Sequence, residues 1–208
     1  ELAQYFNVLH INPLGYTTPK GKDKDKMSVD GWGSVFPDTL NSGGTKGYYQ
    51  WLVNCVMGVE WAFRQENVIK DRVSFFGTSQ GGGAALLLGS IFNDITKAVA
   101  SDQPFLTNLK MADGRGAYGI GADLCRNTDK ETIERGQYLI DTVHHVHRFN
   151  FPILLTSGGK DDQCPPETIR DLFSRLKGTK SYTHFEHLAH SYNREFIQLV
   201  KAWFLIYA

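Results

Sequence analysis

The sequence lacks the charge bias and the long apolar runs that mark several specialised protein classes. It has 22 basic and 22 acidic residues, so its formal net charge is zero and no basic patch indicates nucleic-acid binding. No apolar run is long enough to cross a bilayer, and no signal peptide is visible. We therefore expect neither a nucleic-acid partner nor a membrane partner.

Cysteine is also scarce. The three residues Cys55, Cys125 and Cys164 are odd in number and scattered in spacing, which argues against a disulfide framework and against a zinc cluster. The pattern favours either a reducing compartment or simply free buried thiols. The location stays open between cytoplasmic and secreted, with cytoplasmic favoured. The chain begins at Glu1 rather than at Met, so we expect that a preceding segment has been removed.

The 208 residues are enough for one domain with a sizeable core, and the hydrophobic share of 41% is ordinary for a globular protein. Strand patterns alternate with helix patterns along the chain. Strands are predicted over residues 5–11, 72–76, 98–101, 151–156 and 181–185, and helices over 48–65, 82–92, 128–146, 166–176 and 193–207. Several of the strands are continuously apolar, which is typical of a parallel sheet covered on both faces.

The sequence therefore predicts a single α/β domain over residues 1–208. Residues 17–46 are predicted to form a long surface loop, since they are rich in glycine, serine and charges of both signs. Residues 105–150 are predicted to form a cap inserted over the strand ends. Ligands of such sheets bind beyond the carboxyl ends of the strands, so the loops at those ends are the candidates for a site.

One stretch organises the rest of the chain. The run from Arg72 to Leu88 reads as a strand, a sharp turn at Gly77-Thr-Ser79-Gln-Gly81 and an apolar helix. A serine in such a strained turn is pushed out above the sheet, where it can act as a nucleophile. Because neighbouring turns crowd the serine, we expect residues 77 and 81 to have no room for a side chain, which explains the glycines there. The backbone N–H of Gln80, at the positive end of the helix, is a candidate oxyanion donor.

A serine nucleophile needs a base to take its proton and an acid to orient that base. In this architecture the expected chain order is serine, acid, histidine. Asp161 and Asp162 follow the strand predicted to end at Thr156, and we favour Asp161 as the acid. Asp102, which follows an earlier strand, is a third candidate.

The base is expected in the loop after the strand that ends near Phe185. His187 and His190 both lie there, and we favour His190 because it is deeper in the loop, just before the last helix. The group His144-His145-Val146-His147 invites a metal interpretation. Adjacent histidines diverge on a helix, however, and no carboxylate or cysteine completes a set at ligand spacing. We therefore predict no metal and no cofactor.

Three segments carry a family resemblance. The runs Gly77–Gly83, Asp102–Leu106 and Gly158–Pro166 resemble the acetyl xylan esterase/cephalosporin C deacetylase family of α/β-hydrolases. The resemblance implies Ser79 as nucleophile, Asp161 as acid and His190 or His187 as base. It also implies removal of acetyl groups from sugar hydroxyls, hence a carbohydrate or small-molecule ester substrate. Members of the family often assemble as hexamers, so the resemblance leaves room for a homo-oligomer.

The chain departs from the family pattern in two places. The family has a His-Glu-Gly-Gly-like histidine segment, which neither His190-Ser-Tyr nor His187-Leu-Ala matches. The family also has a His-Gly-Tyr-like turn that supplies a second oxyanion donor, and residues 10–15 are not that turn. We therefore expect an α/β-hydrolase fold that lacks its N-terminal strands in these 208 residues.

The sequence leads to one main functional hypothesis and two alternatives. The main hypothesis is a serine carboxylesterase that removes acetyl or other short acyl groups from xylan-type carbohydrate esters. A peptidase-like or lactone-hydrolysing serine hydrolase on the same fold is the first alternative. The second is a non-catalytic fragment that keeps the sheet without a working oxyanion hole.

Overall fold

The computed structural model of the chain describes residues 1–13 and 32–208. Its strands are β1 (Val73–Thr78), β2 (Thr96–Asp102), β3 (Ile153–Gly158) and β4 (Lys180–Phe185). Its helices are α1 (Trp32–Asn41), α2 (Tyr48–Phe63), α3 (Gln80–Ile91), α4 (Leu109–Ala112), α5 (Ala117–Leu124), α6 (Lys130–Ile140), α7 (Pro166–Arg175) and α8 (Arg194–Tyr207). No helix within the described ranges has the length and apolar character of a membrane span.

The strands form one parallel sheet in the order β1-β2-β3-β4. In register, Phe76 lies beside Ala100, and Ala100 lies beside Leu154. All residues of β3, and all of β2 except Lys97, are buried, as expected for central strands with apolar surfaces on both sides. The carboxyl ends of the four strands therefore meet at one edge, where Thr78, Asp102 and Gly158 end their strands.

Helices cover both faces of this sheet. Adjacent residues of a strand point to opposite faces, so Phe75 and Phe76 report on the two sides. The Phe75 ring stacks on Phe92, which caps the end of α3, with ring centroids 6.1 Å apart. The Phe76 ring meets Phe204 of α8 edge-on at 6.2 Å. The predicted parallel sheet with helices on both faces is thus what the chain forms.

The described residues divide into two compact units. One comprises residues 1, 3–68 and 120–140, and contains α1, α2 and α6. In this unit a Cβ on Gly136 would lie 2.6 Å from the carbonyl oxygen of Thr39, so the glycine allows α6 to approach α1 closely. The other unit comprises residues 2, 69–119 and 141–208, and contains the whole sheet. A single domain with a cap over residues 105–150 stays a prediction.

Several predicted elements differ from those observed. Residues 5–11, predicted as a strand, form none; Leu2–Gln4 is a short 3-10 helix, and Tyr5, Val8 and Leu9 are exposed. Of the predicted loop 17–46, residues 32–41 form α1, and residues 17–31 lie outside the described residues.

The helix predicted over 128–146 ends early. It is α6 alone, and a separate 3-10 helix follows over Thr142–Arg148. The reason is the buried Asp141, whose side chain accepts a hydrogen bond from the backbone N–H of Val143 and so starts the new turn.

All three cysteines are free and buried, as expected.

Candidate active site

Ser79 lies at the turn between β1 and α3, in a conformation that few residues other than glycine adopt. Its φ is 57° and its ψ is −119°. The end of β2 and the loop after it hold this strained residue through its backbone. Ser79 N–H donates to the carbonyl of Asp102 at 2.8 Å, and the Ser79 carbonyl accepts from Phe105 N–H at 2.9 Å. The Ser79 carbonyl also accepts from Gly83 N–H at 3.0 Å, within the first turn of α3.

Three of the glycines around Ser79 leave no room for a side chain, and only one of these three was predicted. A Cβ on Gly77 would overlap the backbone carbonyl of Gly81, so the expectation for Gly77 is correct. The expectation for Gly81 is wrong, because nothing among the described residues lies within 4 Å of a Cβ placed there. The close approaches involve Gly82, whose Cβ would lie 2.8 Å from Ser101 Oγ, and Gly83, whose Cβ would overlap the carbonyl of Phe105.

Ser79, His190 and Asp161 form a continuous chain of hydrogen bonds. Ser79 Oγ lies 2.9 Å from His190 Nε2. His190 Nδ1 lies 2.9 Å from Asp161 Oδ2 and 3.1 Å from Asp161 Oδ1. A neutral imidazole that donates from Nδ1 to the carboxylate leaves Nε2 to accept the serine proton, which is the tautomer that a general base requires.

The acid loop, residues 159–165 between β3 and α7, orients Asp161. The residue is buried, and its Oδ1 accepts from Gln163 N–H at 2.9 Å and from Cys164 N–H at 2.8 Å. The two prolines that follow start α7, where proline is tolerated. The carboxylate is therefore fixed by backbone donors on one side and by the imidazole on the other.

The other sequence candidates lie outside this chain of hydrogen bonds. Asp162 is exposed and accepts from the side chain of Gln163. His187 is exposed, and its ring makes no hydrogen bond to the described residues. Asp102 is fully buried, but its carboxylate accepts from the hydroxyl groups of Thr78 and Thr156. The structure thus brings together the favoured set of three.

Nearby carboxylates set the electrostatics of the imidazole. The hydrogen bond that His190 donates to Asp161 raises the pKa of His190 above its usual value, and partial burial of the ring opposes this shift. The charges of Asp161, Asp102 and Asp162 add to the rise. An imidazolium formed during a reaction would therefore be stabilised. Burial raises the pKa of Asp102, which lies next to the site without contacting the serine hydroxyl.

One group of metal-ligating side chains is close together among the described residues. Ligand atoms of Asp161, Cys164 and His190 lie within 4.8 Å of one another. The carboxylate and the imidazole already bond to each other, and burial raises the pKa of the Cys164 thiol, so the thiolate that a metal needs is disfavoured. The group is thus part of the hydrogen-bonded site, and the histidines at 144, 145 and 147 do not contribute to it.

The roles of two residues at this site were not predicted from the sequence. Cys164 supplies a backbone N–H to Asp161, and its Asp-x-x-Cys-Pro-Pro context was the signal that could have found it. Gln103 donates from its side-chain amide to the carbonyl of Ala189, the residue before His190. No local sequence signal indicates that contact, because it joins residues 86 positions apart.

A family model matches most of the chain. The family model described as acetyl xylan esterase (AXE1) matches residues 37–207. The chain belongs to the acetyl xylan esterase family. The resemblance found in the sequence is therefore confirmed, and the matched range includes Ser79, Asp161 and His190.

Solved structures show the same fold. Acetyl xylan esterase 1 from Thermoanaerobacterium sp. JW/SL YS485 is 22% identical, with a TM-score of 0.72 over 83% of this chain and 57% of that one. The acetyl xylan esterase from Paenibacillus sp. R4 is 21% identical, with a TM-score of 0.74 over 81% and 56%. Est1E from Butyrivibrio proteoclasticus is 20% identical, with a TM-score of 0.59 over 83% and 79%. The predicted α/β-hydrolase fold is confirmed, and the chain spans less than three fifths of the length of the first two esterases.

Proposed function

We propose that this chain carries the catalytic residues of a serine carboxylesterase that removes acetyl or other short acyl groups from carbohydrate esters of the xylan type. The observation that carries the proposal is the unbroken path from Ser79 Oγ through the His190 ring to the Asp161 carboxylate, with each step at 2.9 Å. Membership of the acetyl xylan esterase family supports the choice of an acetylated carbohydrate as substrate.

The proposed first half-reaction transfers the acyl group to the enzyme. Ser79 Oγ attacks the ester carbonyl carbon while its proton passes to His190 Nε2. Asp161 stabilises the imidazolium that forms and keeps its ring in place. The oxyanion of the tetrahedral intermediate accepts from the backbone N–H of Gln80, the first residue of α3, at the positive end of that helix.

The intermediate then collapses. The bond between the carbonyl carbon and the sugar oxygen breaks, and the sugar hydroxyl leaves with the proton held on His190. In the second half-reaction His190 takes a proton from water, which attacks the acyl-Ser79 ester and releases the short acid. Ser79 recovers its proton, so the cycle needs no metal or redox partner to balance.

The decisive experiment is active-site labelling combined with substitution. In the complete natural protein, Ser79→Ala should abolish hydrolysis of a chromogenic acetate and labelling by a fluorophosphonate probe. Ser174→Ala is the matched control, since Ser174 is an exposed serine on α7 whose one side-chain hydrogen bond to the described residues is to the carbonyl of Asp171. Labelling of Ser79 would also discard the non-catalytic alternative. Undiminished turnover in Ser79→Ala would refute the proposal.

Substrate comparison separates the esterase from the other serine hydrolases. We expect higher kcat/KM for acetylated xylo-oligosaccharides and short-chain esters than for long-chain esters, lactones or peptide amides. A preference for amides or lactones would favour the alternative instead.

The family resemblance also supports a homo-oligomer, which light scattering of the complete protein would test.

A further inference from the structure

Gln103 occupies a strained and fully buried position directly after β2. Its φ is 42°, in a region that glutamine rarely adopts, and none of its surface is exposed. Its backbone N–H donates to the carbonyl of Thr156 in β3 at 3.0 Å. The backbone at this position is thus fixed at the sheet edge where the candidate site lies.

The side chain of Gln103 reaches the histidine loop, residues 186–190. Its Nε2 donates to the carbonyl oxygen of Ala189 at 2.8 Å, one residue before His190. Gly158, the last residue of β3, leaves room for this amide. A Cβ at that position would lie 2.5 Å from Gln103 Nε2 and 2.5 Å from the Leu188 carbonyl oxygen. The amide therefore packs between the end of β3 and the histidine loop.

Among the described residues, the histidine loop has few other anchors close to His190. Ser191 Oγ donates to the same Ala189 carbonyl, but at the longer distance of 3.5 Å. Glu186, His187 and Ala189 are exposed. Two backbone bonds hold the chain before Ala189. Gly159 N–H donates to the carbonyl of Phe185, the last residue of β4, and Lys160 N–H donates to the carbonyl of Leu188. The bond from Gln103 holds the last peptide before the imidazole, so it acts where a small rotation would move the ring most.

Stability alone does not explain a glutamine here. The Oε1 atom of Gln103 is buried and has no hydrogen-bond partner among the described residues. A buried acceptor without a partner and a positive φ both cost free energy, and such costs concentrate at functional sites. An apolar side chain of similar size would avoid the first cost, and glycine or asparagine would reduce the second.

We propose that Gln103 is a positioning residue that holds the Ala189 carbonyl and thereby keeps His190 in line with both Ser79 and Asp161. The inference rests on the proposed function, in which His190 is the general base. Gln103 itself contacts neither the substrate nor the reacting atoms.

Two variants test this role. Gln103→Met keeps the length and volume of the side chain but removes the donor. Gln103→Asn suits the positive φ better and is expected to fold at least as readily, yet its amide is one methylene too short to reach Ala189. Thr96→Val is the control. Thr96 is the first residue of β2, at the opposite end of that strand from Gln103. The substitution removes a side-chain hydroxyl that donates to the backbone carbonyl of Phe92 at 2.8 Å.

We expect both Gln103 variants to lower kcat by about 10- to 100-fold, because a small misplacement of a catalytic group has that effect. KM should change by less than about threefold, since the amide makes no substrate contact. Thr96→Val should lower the midpoint of thermal unfolding without lowering kcat. Unchanged kcat in folded Gln103→Asn and Gln103→Met would overturn the proposal, as would an equal loss of kcat in Thr96→Val.

A second measurement does not depend on turnover. The proton shared by His190 Nδ1 and Asp161 gives a downfield proton NMR signal, which Asp161→Asn assigns by removing it. We expect this signal to broaden or vanish in both Gln103 variants and to persist in Thr96→Val. Loss of the signal in a protein without esterase activity would uphold the positioning role while the proposed function fails. A signal unaltered in both Gln103 variants would refute the positioning role, whatever the activity.

Discussion

The backbone N–H of Lys160 donates to the carbonyl of Leu188 at 2.9 Å, and this bond joins the acid loop to the histidine loop. Asp161 follows Lys160 directly, and His190 lies two residues after Leu188. The two loops leave neighbouring parallel strands, β3 and β4, so they begin side by side. This backbone bond links the two loops independently of the Asp161 side chain, so a substitution of Asp161 can test its chemistry without removing the bond.

Asp161→Asn should reduce kcat by roughly 10³- to 10⁴-fold while the protein stays folded. The amide keeps the shape of the carboxylate, but it no longer favours the imidazole tautomer that donates from Nδ1. The measurement is steady-state hydrolysis of a chromogenic acetate. Asp162→Asn is the matched control on the exposed neighbouring residue and should keep nearly full activity. A greater loss of kcat in Asp162→Asn than in Asp161→Asn would show that Asp162, rather than Asp161, is the acid.

The pH dependence of kcat/KM follows from the raised pKa of His190. The base must be neutral to accept the serine proton, so activity should fall as the pH falls through this pKa. Because the hydrogen bond that His190 donates to Asp161 is the main cause of the rise, the acid limb should lie above the ordinary histidine pKa of about 6.5. In Asp161→Asn the residual activity should show this limb at lower pH. A limb that stays in place would mean that another group controls it.

The sequence predicts the candidate site from local signals. Ser79, Asp161 and His190 each follow a strand, and parallel strands bring such loops to one edge. The choice between Asp161 and Asp162 was less secure, since neighbouring side chains point in different directions. In the folded chain the backbone N–H groups of Gln163 and Cys164 donate to Asp161, and this contact favours Asp161 over Asp162.

Contacts between distant residues explain what the sequence did not predict. The strand pattern over residues 5–11 is β-compatible, but a strand needs a partner, and the described residues offer none there. Crowding at Gly83 comes from the carbonyl of Phe105, which lies in another loop. The contact of Gln103 with Ala189 likewise depends on how two loops meet.

The glycines of the serine turn should differ sharply in their tolerance of a methyl group. Gly77→Ala and Gly83→Ala would force backbone atoms apart, so each should lower the free energy of unfolding by about 1–3 kcal/mol. Gly81→Ala meets open space and places alanine in a helix, where it is better than glycine by up to about 1 kcal/mol. Urea unfolding of the three variants measures this. A loss in Gly81→Ala as large as in Gly83→Ala would contradict the prediction.

Asn193 is the N-cap residue of α8 and lies three residues after His190. Its side-chain oxygen accepts from Glu195 N–H at 3.0 Å, whereas its buried Nδ2 has no partner among the described residues. Asn193→Ala should therefore cost about 1 kcal/mol through the lost cap. Asn193→Ser keeps a capping oxygen and removes the buried donor, so it should be at least as stable as the natural chain.

Urea unfolding ranks the two Asn193 variants, and the expected order of stability is serine at or above asparagine, with alanine lowest. Both should retain the His190–Ser79 geometry, because the cap acts on the helix that follows the base rather than on the loop that holds it. Their kcat values should therefore stay close to that of the natural chain. If Asn193→Ser were as unstable as Asn193→Ala, the amide nitrogen rather than the capping oxygen would be the group that stabilises this helix end.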